Sequence, residues 1–355
     1  MFNPLPQTGS EFYRSILSNS ITALKNNHFR DNFDARRFNS DGQDHSQELN
    51  PESRAFYFDW FFRHHSRLFG AYEALCDEYS RKLFLHLVAY RLGGHLSIRI
   101  PVGFIERRTE YLRYKAREKY VPSDFGTQGM FGSLRHYDFE YDGKRYIGEC
   151  VSLEPYLFRQ QYFYAKDGVR IAAENGDHVI DGGAFTGDAT LVFSNAVGPD
   201  GVVYAFDPVA DHIDVLRLNI GQFPIRNVKI MPYGLSDRKV DTDPVLLNRY
   251  CADFNVRHAN VPLRSVDELV AGNEIQRIDF LKLDVEGSEL DSLRGAARSI
   301  AGLRPKLAVS IYHRPEDLFE IIEFIVGTFP FYKLYLDHYT IHMEETVLYC
   351  EASSD

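Results

Sequence analysis

The sequence is poor in cysteine. Its four, Cys76, Cys150, Cys251 and Cys350, are far apart, and none forms a Cys-x-x-Cys pair. That argues against a zinc site and a disulfide framework, and leaves buried free thiols in a reducing compartment as the expectation. Long apolar runs are missing too. The richest, "LFLHLVAY" and "FEIIEFIVGTFPFY", are short or interrupted by Glu, so no bilayer span is expected. The first twenty residues, "MFNPLPQTGSEFYRSILSNS", lack a signal-peptide core, which makes the cytoplasm the expected address. Positive charge is in deficit. Lys and Arg number 40 against 50 Asp and Glu, a net −10, which disfavours non-specific binding of nucleic acid. No internal repeat and no low-complexity tract is present. What remains is a globular composition of 355 residues, 44% hydrophobic and 25% charged, enough for one large domain or two ordinary ones. Aromatics reach 14%, which suits aromatic-lined clefts and large cores alike.

Periodicity then divides the chain. Residues 1–50 are polar, and "FNSDGQDHSQELNPES" (38–53) reads as a loop. From about 55 to 92, Leu68, Tyr72, Leu75, Tyr79, Leu83 and Leu87 recur on one helix face, and Gly93-Gly94 ends it. His64 and His65 are expected on a helix surface beside an aromatic face. "RRTEYLRYKAREKY" (107–120) reads as a second, charged helix. "HYDFEYDGKRYIGECV" (136–151) alternates on both sides of Asp142-Gly143, a hairpin signal. From 178, strands ("HVIDG", "GVVYAFD", "NVKIMPYGLS", "IDFLKLDVEG", "KLAVSIYH") alternate with helices (188–197, 209–221, 288–300, 316–327). Alternation of that kind predicts a parallel sheet with helices on both faces. "FYKLYLDHY" and "ETVLYCEA" follow with no helix between them and predict an antiparallel edge pair. The expected division is a mainly helical region over 1–125, which selects acceptor or pairs subunits, a hairpin and linker over 126–177, and a core domain over 178–355.

In open α/β sheets ligands lie at the carboxyl ends of the strands. Asp181, Asp207, Asp284 and His313 each end one. The first of these ends opens "VIDGGAFTGDATL" (179–191), a glycine turn between strand and helix, for which three ligands compete. A P-loop needs Lys after its last glycine, and here Asp188 follows Gly187. A dinucleotide turn needs Gly-x-Gly-x-x-Gly, and glycines at 182, 183 and 187 do not fit it. Asp181 and Asp188 flank a turn that holds no Lys or Arg. A diphosphate would be repelled there, by about 1–4 kcal/mol per close pair. A ligand carrying an ammonium and a sulfonium, such as S-adenosylmethionine (SAM), would be drawn in. Its carboxylate suits backbone N–H groups near Gly187, and its ribose hydroxyls suit Asp207. Asp207 is shared with NAD sites, and "DP" also caps helices.

These residues resemble the FkbM family of SAM-dependent methyltransferases. The resemblance rests on "VIDGGAFTGDATL", "VVYAFDPVADHIDVLRLNI" (202–220), "VPLRSVDEL" (261–269), "IDFLKLDVEGSELDSLRGA" (278–296), "LAVSIYHRPEDLFEIIEFI" (307–325) and "ETVLYCE", over roughly 178–351. "CDEYSRKLFLHLVAYRLGG" (76–94) is similar to helical extensions that some members carry. The resemblance implies a class I, Rossmann-like fold with a mostly parallel seven-stranded sheet and an antiparallel C-terminal edge strand. It implies SAM as donor and a hydroxyl of a sugar, glycan or other natural product as acceptor.

Donor contacts are accordingly expected at Asp181, Gly183, Ala184, Phe185, Thr186 and Gly187, at Asp207 and Pro208, at Ser236 and Asp237, and at Asp284. Ser236, Asp237 and Thr186 have turn- or helix-capping readings beside the donor one. An alcohol must lose its proton as it attacks, so a general base is needed, and His313 is the first candidate. Asp284 and Glu286 are further catalytic candidates. Three readings stand open: Asp284 meets the SAM ammonium or the acceptor, the pair holds Mg²⁺, or, with Glu289, they complement a helix dipole. His338 and His342 are expected on solvent-facing positions of the edge hairpin. A homo-oligomer formed through the N-terminal region is compatible with the sequence. The rival readings are an NAD-dependent oxidoreductase on a related fold and a non-catalytic scaffold.

Overall fold

Helices come first, as the apolar spacing requires. The computed structural model describes residues 2–25, 29, 32, 51–103, 107–125, 134–240 and 262–353. The chain divides into two units, one made of Met1–Glu106 and Ile311–Leu348, the other of Arg107–Ser310 and Tyr349–Asp355. Cys251 and most of the loop expected at 38–53 lie outside the described residues.

The first unit opens with α1 (Gly9–Leu24), capped by the Thr8 side chain on Glu11 N. The single helix expected over 55–92 is two, α2 (Pro51–Ala74) and α3 (Glu78–Gly93). The break has a tertiary cause. Leu75 bridges to Leu334, Cys76 N donates to Leu334 O, and Asp77 then caps α3 on Ser80 N. Gly94, at φ 74, ends α3. Cys76 is exposed, against the expectation of buried thiols, while Cys150 and Cys350 are buried.

The second unit begins with α4 (Arg108–Arg117) and a three-stranded antiparallel sheet of β1 (Tyr120–Pro122), β2 (Arg135–Tyr141) and β3 (Lys144–Cys150). Asp142 and Gly143 turn the hairpin with φ of 50 and 72, the left-handed pair that suits strand twist. Short α5 (Glu154–Leu157) leads to a second hairpin, β4 (Tyr164–Lys166) and β5 (Val169–Ile171). The alternating part follows: β6 (His178–Gly182), α6 (Asp188–Val197), β7 (Val202–Phe206), α7 (Ala210–Gln222) and β8 (Val228–Met231). Two short parallel strands, β9 (Gly234–Leu235) and β10 (Leu263–Arg264), precede α8 (Val266–Ala271). Then come β11 (Phe280–Leu283), α9 (Glu289–Gly295), α10 (Ala297–Leu303) and β12 (Lys306–Ser310). The helix expected over 288–300 is therefore interrupted at Ala296.

The chain closes with α11 (Asp317–Thr328), β13 (Tyr332–His338) and β14 (Thr346–Ala352). In the first unit, α11 meets α2 through Phe319, whose ring lies 5.1 Å from that of His64 and 6.3 Å from that of Trp60. The seven-stranded sheet has the order β13-β14-β12-β11-β6-β7-β8, mostly parallel with an antiparallel C-terminal edge. β6, β7 and β11 are almost wholly buried, as apolar strands covered on both faces must be. Their registers pair Gly182 with both Phe206 and Leu283, so these three strands end level with one another.

Candidate methyl-donor site

The turn after β6 is built by close backbone approach. Gly183 has φ 80, and a Cβ there would lie 1.8 Å from the carbonyl oxygen of Asp284. Only glycine fits that place. Gly183 N and Ala184 N both donate to Phe206 O, which folds the turn across the end of β7. Phe185 at φ 51 and Gly187 at φ 103 complete it, and α6 starts at the next residue. The backbone donors of the first turn of α6 thus sit beside the three level strand ends.

The charge of the turn differs from the expectation. Asp181 is fully buried, but its Oδ1 accepts from Lys282 Nζ at 2.9 Å and its Oδ2 from Thr190 Oγ1 at 2.6 Å. Lys282 stands directly opposite Asp181 in the register and also donates to the carbonyls of Gly182 and Gly183. Asp188 is buried as well. Its Oδ2 accepts from Val151 N and Ser152 N, and its Oδ1 from Thr186 Oγ1. The premise that two acids leave the turn uncompensated is therefore corrected. A neighbouring strand supplies a cation to one, and the other binds the segment after β3. Burial pushes the Asp188 carboxyl up to about 6, against the opposing effect of those hydrogen bonds. Of the alternatives open for Thr186, the structure displays a helix-start bond to Asp188.

Asp207 sits at the end of β7. Its Oδ1 accepts from Val209 N and lies 3.0 Å from His212 Nδ1, and its Oδ2 accepts from Phe185 N. The bond to Val209 N closes an Asx turn ahead of α7, whose N-cap residue is Val209, and the same carboxylate ties the loop after β7 to the glycine turn. The His212 ring meets Phe185 edge-on at 4.5 Å. Pro208 follows, half-buried. Ser236 is buried and its hydroxyl donates to the exposed Asp237. α9 is held against this turn, since a Cβ on Gly295 would fall 2.0 Å from Ser236 O.

Asp284 follows β11 and is half-buried. Its N donates to Gly182 O, and its Oδ2 accepts from Tyr162 Oη at 2.5 Å. Glu286 and Gly287 are both left-handed, at φ 55 and 89, so the chain doubles back at once. Glu289 lies in the first turn of α9, as the dipole reading requires, and is buried, with its Oε1 accepting from Val285 N. His313 belongs to the first unit, a short way past β12, half-buried, with its ring 4.1 Å from that of Tyr312. Asp317, the first residue of α11, accepts from Arg314 N, and the N-cap residue Glu316 makes no side-chain cap bond. His338 and His342 are buried, not solvent-facing. His338 contacts Thr346 Oγ1 and His342 O, and His342 Nδ1 lies 3.3 Å from Tyr90 Oη.

Three residues of this site were not found by sequence reasoning. Lys282 had a signal, a lysine inside an apolar strand. Asn219 had a weaker one, an amide within an apolar helix. Its amide nitrogen donates to Glu149 O and Thr186 O, and its oxygen accepts from Glu149 N. Tyr162 had none.

This sheet order, with its glycine turn between β6 and α6, defines a class I methyltransferase fold. Residues 171–336 match the family model of the methyltransferase FkbM domain, as the sequence blocks led one to expect. A curated relative, the hexuronic acid methyltransferase AglP of Haloferax volcanii, is 30% identical over 132 residues, which are 36% of this chain and 53% of that protein. The chain thus spans about half the length of that relative. The crystal structure of methyltransferase FkbM from Methylobacillus flagellatus KT superposes with a TM-score of 0.52 at 19% identity, over 82% of this chain and 60% of that one. That likeness concerns the fold. Among the described residues no helix is long and apolar enough to cross a membrane.

Proposed function

We propose that the protein is a SAM-dependent O-methyltransferase whose acceptor is a hydroxyl of a sugar or glycan. The observation that carries the reading is the approach of Gly183 to Asp284, which sets a glycine turn, a helix start and a half-buried acid side by side. The residues present suit the donor. The N–H groups at the start of α6 take its carboxylate, Asp207 its ribose hydroxyls, and the Ser236–Asp237 turn its adenine edge. Asp284 faces its positive charge. When bound, SAM supplies a methyl group already activated on a sulfonium.

The chain's own work is alignment and proton removal. Holding the acceptor oxygen in line with the methyl carbon supplies much of the rate. A general base must take the hydroxyl proton as the oxygen attacks, and the sequence offers His313 for it. The acceptor class follows the curated relative, and a hexuronic acid is the first to try. The test is calorimetry of the full chain with SAM, S-adenosylhomocysteine and NAD⁺, followed by transfer of labelled methyl to uronic acids and neutral sugars. Micromolar binding of the two adenosyl ligands with label entering a sugar is expected. Binding of NAD⁺ alone would overturn the reading, and binding of none of the three would favour a scaffold.

A further inference from the structure

Before β4 the backbone enters a conformation that side chains disfavour. Gln160 has φ 60 and Tyr162 φ 74. Left-handed backbone is uncommon for a bulky residue and persists where its surroundings impose it. Here they do. Phe163 N donates to Gln160 O at 2.8 Å, Tyr162 N donates to Tyr349 Oη at 3.2 Å, and the Tyr156 ring stacks on Tyr162 with centroids 5.9 Å apart. The result is a buried tyrosine whose hydroxyl donates to Asp284 Oδ2 at 2.5 Å and accepts from Gln161 Nε2 at 3.3 Å. The face of the same ring lies 5.0 Å from Lys282 Nζ, the cation that neutralises Asp181. One side chain thus touches both the acid beside the turn and the cation beneath it.

We propose that Tyr162 is a positioning residue for the methyl donor. The inference rests on the donor reading of Asp284 given above. Tyr162 holds Oδ2 and so sets how the carboxylate is presented to the ligand's positive charge. The left-handed segment sets the angle from which the hydroxyl arrives.

The test is a double-mutant cycle on the full chain. SAM and S-adenosylhomocysteine affinities are measured by calorimetry for wild type, Tyr162→Phe, Asp284→Asn and the double variant, with thermal midpoints alongside. Tyr162→Phe keeps the ring and its packing. It is expected to weaken SAM binding about tenfold. Asp284→Asn is expected to weaken it at least as much, and the double variant to be no worse than Asp284→Asn alone within about twofold. A merely structural tyrosine would leave affinity unchanged in Tyr162→Phe, or its loss would multiply with that of Asp284→Asn. Either result overturns the inference and leaves the donor reading standing. Normal SAM affinity in Asp284→Asn removes the donor reading of Asp284, and the inference with it.

Discussion

Lys282 Nζ lies 2.9 Å from Asp181 Oδ1, on adjacent strands at the same register position, with both side chains almost wholly out of water. A buried ion pair is weak evidence of net stabilisation, because desolvating two charges costs nearly as much as their attraction returns. Removing one partner is another matter, since the survivor is left as an uncompensated buried charge. Lys282→Met should therefore destabilise the fold by about 3–5 kcal/mol. Adding Asp181→Asn should recover part of the loss. Denaturant midpoints of the two single variants and the double variant check this, and additive losses would refute the coupling.

Gly183 is the strictest position of the turn. Alanine there would put its Cβ 1.8 Å from a backbone oxygen at a φ of 80, so clash and backbone strain act together. Because the obstacle is the carbonyl of Asp284, relief has to move β6 away from β11. Gly183→Ala should lose measurable SAM binding and lower the thermal midpoint. Retention of wild-type affinity would show that the turn does not carry the donor.

Asp188 makes stability depend on pH with a definite sign. Its carboxyl is raised from an ordinary 3.8 to about 6 by burial. The unfolded chain therefore releases this proton before the folded one does. Between about pH 4 and 6 the folded state holds more protons, so this group's contribution falls as pH rises, by up to about 3 kcal/mol, and is constant above that window. Unfolding free energies across pH 3.5–7 should show a steeper decline in this window for wild type than for Asp188→Asn. Identical slopes would refute it.

Much of the fold was legible because its signals are local. The Asp142-Gly143 hairpin and the alternation after 178 depend on neighbouring residues alone, and both are present. The break between α2 and α3 was not legible, since it depends on Leu75 meeting Leu334, a partner far along the chain. The site shows the same division. The strand-end acids could be found by counting, but what each one faces could not. Lys282 neutralises Asp181 only because of the register between β6 and β11, and Tyr162 reaches Asp284 across 122 residues of sequence. Glu289 was placed at a helix start, where it lies, but no local sign showed that Val285 N would need it as an acceptor.

The thiols should separate by reactivity. Cys76 is exposed, whereas burial, reinforced by nearby Asp188 and Glu149, pushes the Cys150 thiol well above its usual range. The thiolate is the nucleophile, so Cys150 is doubly protected. Brief alkylation of the native protein followed by peptide mass analysis should label Cys76 and spare Cys150 and Cys350. Equal labelling of Cys150 would mean that the segment joining β3 to α5 opens readily.

Asp207 carries two tasks that substitution can separate. Its Oδ1 closes the turn by accepting from Val209 N, its Oδ2 holds Phe185 N, and on the proposed reading the same carboxylate binds the donor's ribose. Asp207→Asn keeps one acceptor oxygen for the turn and removes the charge. Hydrogen bonds to a charged acceptor contribute about 1.5–3 kcal/mol, so SAM affinity should fall by about 10–100-fold while the thermal midpoint moves little. Asp207→Ala removes the turn bond as well and should lose both. Calorimetry and thermal unfolding on the two variants separate the roles. Were Asp207→Asn to bind SAM as wild type does, the carboxylate would be a loop brace alone, and the ribose would have to be held elsewhere.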